Sequence, residues 1–312
     1  MTLAQQACEV QPTLEELLAL RPHAQALPAL CQLAARSGFS GTRASGQRGR
    51  GLLFEELRHY QPGDDTRRLD WKATRRTGQP MVQVFTEERE RPVQLLLDLQ
   101  ARMQFGSRCQ FKAALAVRLA ALLLWQSQAK GDRLGALICR PGQREQIRPR
   151  RSEQACLHLL QQLCLTEPLQ TGPAHRISPT ESDDQLAGGL LELGRLAHHS
   201  SDLWLISDLE GLCALADGPL LSLARHNQLN LVLISDPLEQ QLPDAGRWPL
   251  SDGQQYLLLD SSDPDLRQRY AADYQHQLHS LQRRLAPLPL TLLMLTTATP
   301  LLEQLAPLVG RR

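Results

Sequence analysis

The sequence predicts an α/β fold: a doubly wound, mostly parallel sheet of Rossmann type, preceded by a helical and irregular N-terminal extension. Three observations predict it. Short apolar runs of strand length recur past residue 90, helix-length segments alternate with them, and four of the runs end in aspartate. Strands alternating with helices imply βαβ units. Their right-handed crossovers leave an open sheet with helices on both faces. Residues 91–312 are assigned to this domain. Residues 1–90 are assigned to an N-terminal helical segment plus a charged region.

The elements follow in order. "PVQLLLDL" (92–99) is apolar without helical period and reads as a buried strand. "FKAALAVRLAALLLWQSQ" (111–128) is a helix apolar on most sides, which places it against the sheet. "DRLGALICR" (132–140) is a second strand, and "REQIRPR" (144–150) pairs beside it after the turn "RPGQ". "SEQACLHLLQQLC" (152–164) is a helix capped by Ser152. Another helix starts near Asp183 and Asp184. "DLWLISD" (202–208), "NLVLISD" (230–236) and "QYLLLD" (255–260) are the third to fifth strands. Asp263-Pro264 opens a long helix, and "LTLLMLTT" (290–297) is the final strand before a short closing helix.

Composition excludes several classes. A hydrophobic content of 42% supports a full core rather than disorder. Lys and Arg number 34 against 33 Asp and Glu, so no global field draws the chain to nucleic acid or an anionic membrane. The most apolar segment, 113–125, is interrupted by Arg118 and is too short to span a bilayer. The N-terminus lacks the pattern of a signal peptide. Seven cysteines, none spaced as C-x-x-C, read as reduced thiols. The expected location is cytoplasmic, without membrane insertion.

In open parallel sheets ligands bind outside the carboxyl ends of the strands, where strand order reverses. Asp98, Asp208, Asp236 and Asp260 all fall at such ends. For Asp236 and Asp260 the expected role is capping of the following turn or helix. Asp98 and Asp208 are the candidate site residues.

The stretch "LRHYQPGDDTRRLDWKATRRTGQPMVQVFTEERERPVQLLLDL" resembles the signature of the bacterial family known as domain of unknown function 58. The pattern falls on Arg58, Tyr60, Gly63, Asp64, Arg67, Asp70 and Trp71 and continues into the strand ending at Asp98. The resemblance implies a von Willebrand factor A-like domain. It implies a MoxR-type AAA+ ATPase as partner, in assembly or maturation of other proteins, with other von Willebrand A-domain proteins as further candidates. It also implies a metal-ion-dependent adhesion site, Asp-x-Ser-x-Ser with a later Thr and Asp. Here that motif reads Asp98, Gln100, Arg102, with Asp208 as the later Asp and Thr171 or Thr180 as candidates for the Thr. Both serines are missing, and Arg102 brings a fixed cation that repels a divalent ion. The expectation is a degenerate site in which Arg102 replaces the metal and pairs with Asp98 or Asp208, with no cofactor.

Within the charged stretch, residues 59–78 read as an irregular segment held by Arg–Asp pairs, with Tyr60 and Trp71 between the charges. Either it only fastens the extension, or Arg58, Tyr60, Asp64, Arg67, Asp70 and Trp71 recognise a partner. No nucleophile or phosphate loop accompanies the carboxylates. The expected function is therefore a non-enzymatic interaction or adaptor module. The alternatives are a metal-dependent hydrolase using the Asp98/Asp208 crevice and an Arg-rich nucleic-acid-binding protein.

Overall fold

A computed structural model gives the architecture. It describes residues 11–28, 30, 52–61, 65, 69–87, 92–165, 179–251 and 256–309. Two compact units are present: Gly46–Arg91, and Met1–Ser45 with Pro92–Arg312.

The larger unit opens with two short helices, α1 (Leu14–Ala19) and α2 (Arg21–Ala26). The smaller unit contains strand β1 (Leu52–His59), helix α3 (Trp71–Thr77) and strand β2 (Met81–Glu87), with β1 and β2 antiparallel. Helix α3 corrects the reading of residues 59–78 as irregular. Asp70 caps α3 by accepting from the Lys72 and Ala73 N–H groups, and Gly78 stops it in the left-handed region at φ 72°.

The larger unit then continues with β3 (Val93–Asp98), α4 (Lys112–Lys130), β4 (Leu134–Arg140), β5 (Gln143–Arg150), α5 (Glu153–Cys164) and α6 (Pro179–Leu196). After these come β6 (Asp202–Ser207), α7 (Leu209–Ala214), α8 (Asp217–His226), β7 (Gln228–Ser235) and α9 (Pro237–Gln240). The chain closes with β8 (Arg247–Ser251), β9 (Tyr256–Asp260), α10 (Pro264–Leu285), β10 (Leu290–Thr296) and α11 (Leu301–Val309).

Six strands form the central sheet in the order β10-β7-β6-β3-β4-β5. All neighbours are parallel except β5, which folds back antiparallel on β4. Side chains alternate between two cores with the period of two that a strand imposes. Leu95, Leu97, Ile138, Trp204 and Ile206 face α1, α2, α4, α5 and α11. Leu96, Leu137, Leu203, Leu205 and Leu231 face α6, α7, α8 and α10. The run 255–260 is a correction. It does not join the central sheet but pairs antiparallel with β8 as a separate ribbon. Its Leu258 is 63% exposed, so apolar composition there marks a one-sided ribbon and not a strand buried on both faces.

The α4 helix is buried along nearly its whole length, and two of its buried polar residues, Arg118 and Gln126, hold the N-terminal helices. Arg118 donates to the Glu16 carboxylate of α1 and to Gln110. Gln126 accepts from the Leu30 N–H (3.0 Å) and donates to the carbonyls of Ala24, Leu27 and Pro28. Trp125 donates its indole N–H to the Leu17 carbonyl (2.9 Å). The α1–α2 segment is thus fixed by side chains as well as by the burial of Leu17, Leu20 and Ala24.

Replacing Gln126 by Leu is expected to lower the unfolding free energy by about 1–3 kcal/mol, the usual cost of stranding buried backbone groups. Denaturant unfolding checks it, and an unchanged midpoint would mean that the clamp does not hold the segment.

Candidate functional site

The strand order reverses between β6 and β3, so the chain leaves their carboxyl ends in opposite directions and opens a crevice there. Asp98 ends β3 and is fully buried. Its Oδ2 accepts from Arg102 Nη2 (3.1 Å) and from Ser207 Oγ (2.7 Å). Its Oδ1 accepts from the backbone N–H and the side-chain amide of Gln100. Asp208 directly follows β6. Its Oδ1 caps α7 through the Gly211 N–H (2.9 Å) and lies 3.3 Å from Arg102 Nε. Arg102 therefore pairs with both aspartates.

Foremost among the residues the sequence reading missed, with Ser107, Glu239 and Thr297, is Lys112. It is the first residue of α4, 1% exposed, and its ammonium meets Asp208 Oδ2 at 2.9 Å and also Glu239. Glu239 in turn accepts from the Asp236 N–H (2.9 Å), while Asp236 caps α9 through the Leu238 N–H. Asp236 does more than the capping expected of it. Its carboxylate also accepts from the Ser107 N–H (2.7 Å), the Ser107 hydroxyl (2.5 Å) and the Thr297 hydroxyl. One polar chain therefore crosses the ends of four adjacent strands, β3, β6, β7 and β10. Asp260 lies outside it, on the exposed ribbon, beside Arg247.

Gly211 leaves room for this packing. A Cβ there would stand 2.1 Å from Ser207 Oγ and 2.8 Å from Arg102 Nη2. Burial pushes the Asp236 carboxyl up, but its hydrogen bonds from Ser107, Thr297 and Leu238 outweigh burial and leave it below its ordinary value. Burial pulls Lys112 down, but Asp208 and Glu239 outweigh it and hold the ammonium charged above its ordinary value.

The donor set does not fit a divalent cation. Mg²⁺ requires a near-octahedral shell of oxygens. The oxygens of Asp98 and Asp208 face a guanidinium and an ammonium instead. Among the described residues no group of three or more His, Cys, Asp or Glu side chains could hold a metal. Thr180 lies in α6, and Thr171 lies outside the described residues.

Cys139 and Cys156 are free, and burial pushes each thiol up to about 12, which removes thiolate character near neutral pH. Cys164 and Cys213 are free as well. Cys109 is disulfide-bonded, against the expectation of reduced thiols throughout. Disulfide formation depends on proximity in space, which cysteine spacing along the chain does not reveal.

The other candidates belong to the smaller unit. Arg58 is half-buried on β1 and donates to the His59 carbonyl (3.1 Å). Tyr60 is half-buried, with its N–H on the Pro80 carbonyl. Asp70 is the cap of α3, and Trp71, the next residue, is 72% exposed. Asp64 and Arg67 lie outside the described residues.

Residues 56–280 match the family described as protein of unknown function DUF58. The chain belongs to this family. Both the charged segment from Glu56 and the strand-end crevice fall within the DUF58 match. Uncharacterized proteins of Mycobacterium bovis and Mycobacterium tuberculosis are 32% identical to this DUF58 chain over 217 residues, 69% of its length. The match spans 65% of the length of those relatives. Conserved hypothetical protein BatB from Bacteroides thetaiotaomicron, a crystal structure, aligns at 10% identity with a TM-score of 0.35, covering 71% of this chain and 100% of that one. No helix among the described residues is long and apolar enough to cross a membrane.

Lys112→Met is expected to cost about 1–3 kcal/mol, because Asp208 keeps only Arg102 as its cation and the partly exposed Glu239 loses its own. Adding Glu239→Gln is expected to recover part of that loss in the same denaturant titration. The stability profile is expected to fall at both pH extremes. The Asp236 contribution is present above its unfolded pKa and is lost as pH falls through the lower folded value. The Lys112 contribution is present below the ordinary lysine value and is lost as pH rises through the higher folded one. Asp236→Asn is expected to flatten the acid limb, and an unaltered limb would assign it to other carboxylates.

Proposed function

We propose that this chain is a non-enzymatic, von Willebrand A-like interaction module that works with a MoxR-type AAA+ ATPase in the assembly or maturation of other proteins. One observation carries the non-catalytic part of the reading. At the place where a sheet of this topology binds ligands, Asp98, Asp208 and Glu239 are engaged by Arg102 and Lys112, and Asp236 by Ser107 and Thr297. Carboxylates held in this way are poorly placed to activate water or bind a catalytic metal. The two built-in cations fill the role a divalent ion has in relatives with a complete adhesion motif. The crevice then stiffens the module without a cofactor, and recognition falls to exposed residues of the signature segment.

The partnership rests on the resemblance of that segment, Arg58 to Trp71, to the family whose members accompany such ATPases. A metal-independent module has a distinctive signature in solution. Calorimetric titration with Mg²⁺ or Mn²⁺ is expected to show no binding in the micromolar range, whereas Gln100→Ser combined with Arg102→Ser creates affinity by adding two hydroxyls and removing a cation. The MoxR-type ATPase from the same genome is expected to bind the immobilised chain equally with and without a chelator. Tight metal binding by the unaltered chain would overturn metal independence. Absence of any association with the ATPase would overturn the partnership.

A further inference from the structure

The outward face of α3 is exposed. At about 100° per residue, Trp71, Arg75, Lys72 and Arg76 follow one another around an arc of roughly 140°. Ala73, Thr77 and Thr74 take the opposite side, and that side is committed. Ala73 is 6% exposed, the Thr74 hydroxyl accepts from the Met81 N–H (2.9 Å), and the Thr77 hydroxyl donates to the carbonyls of Ala73 and Gln79. The helix N-terminus is committed as well, since Asp70 caps it. All four residues of the outer arc are exposed, and no acidic residue lies within the helix.

We infer that this outer arc of α3 docks an acidic segment of a partner protein. The inference rests on the interaction-module reading and adds the chemistry of what is bound. Three cations on one arc, with no carboxylate among them, repel basic partners and favour acidic ones. Trp71 supplies what charge alone does not. A large aromatic ring buried on contact contributes apolar free energy and screens the neighbouring ion pairs from water. The strapping of Asp70 and Thr74 to the start of β2 holds the arc in place before binding, so little order is lost on docking. Across the whole chain 34 basic residues face 33 acidic ones, so the attraction is local to this face. A helix of this length spans about 10 Å, which suits a few carboxylates better than the extended basic track that a nucleic-acid backbone requires.

The test uses the full chain and a short fluorescein-labelled peptide of alternating Glu and Leu, followed by fluorescence anisotropy. The peptide is expected to bind, and its affinity to fall as salt is added. Trp71→Ala, and separately Lys72→Gln with Arg75→Gln and Arg76→Gln, are each expected to weaken binding at least roughly tenfold. Thermal unfolding is expected to be unchanged in both variants, because all four side chains lie on the exposed arc. Equal binding of a Lys–Leu peptide, or undiminished binding by both variants, would overturn the inference. A single-stranded oligonucleotide that binds through the same residues in place of the peptide would overturn it too and assign the face to phosphate. The ATPase separates the two readings. If it binds the triple Gln variant as well as the unaltered chain, the acidic-segment inference fails and the partnership stands. If it binds neither form while the Glu–Leu peptide behaves as expected, the partnership fails and this face stands.

Discussion

The structure of the larger unit depends on one arrangement of charge: the Lys112 ammonium between Asp208 and Glu239, with Arg102 between Asp98 and Asp208. Neighbouring parallel strands that each end in a carboxylate bring like charges together in a poorly hydrated place. Without cations those charges would repel, and each would be costly to bury. Two fixed cations convert the repulsion into cohesion. Because Lys112 begins α4, the same contact sets where the central helix starts over the sheet. Because Glu239 and Asp236 continue the chain to Ser107 and Thr297, four strand ends are tied through side chains beyond their backbone pairing.

The strand ends were legible in the sequence because buried parallel strands leave a plain signature, an apolar run closed by a polar residue. "LLLD" and "LISD" locate β3, β6 and β7 to within a residue or two. Arg102 stood out because it occupies a position where the resembled motif has a hydroxyl. Lys112 carried no such signal. A lysine opening a helix is ordinary, and only closure of the sheet brings it to Asp208, 96 residues along the chain. The same limit explains β9. Composition reports that a segment can be a strand, but which sheet it joins is decided by contacts that a local pattern does not contain. The helix at Trp71 was concealed by its charge density, although its punctuation, Asp70 before and Gly78 after, was present.

The two units solve opposite problems with the same residue types. In the larger one, Arg102 and Lys112 are turned inward and matched to acidic groups, which rigidifies the sheet end. In the smaller one, Lys72, Arg75 and Arg76 are turned outward beside an exposed Trp71, which leaves their charge available to solvent. Net charge close to zero therefore conceals a strongly uneven distribution. The family match over residues 56–280 includes Lys72, Arg75 and Arg76 as well as Arg102 and Lys112.

The grip of α4 on α1 and α2 also imposes an order on biosynthesis. Arg118 and Glu16 are separated by 102 residues, and Trp125 and Leu17 by 108. The N-terminal helices leave the ribosome long before the helix that anchors them exists, and helices of six residues are too short to persist alone in water. Leu17, Leu20 and Ala24 must therefore stay uncovered while β3 and the loop after it are synthesised. During that interval the nascent chain displays an apolar strip that a chaperone can hold, and completion of α4 is the event that withdraws it.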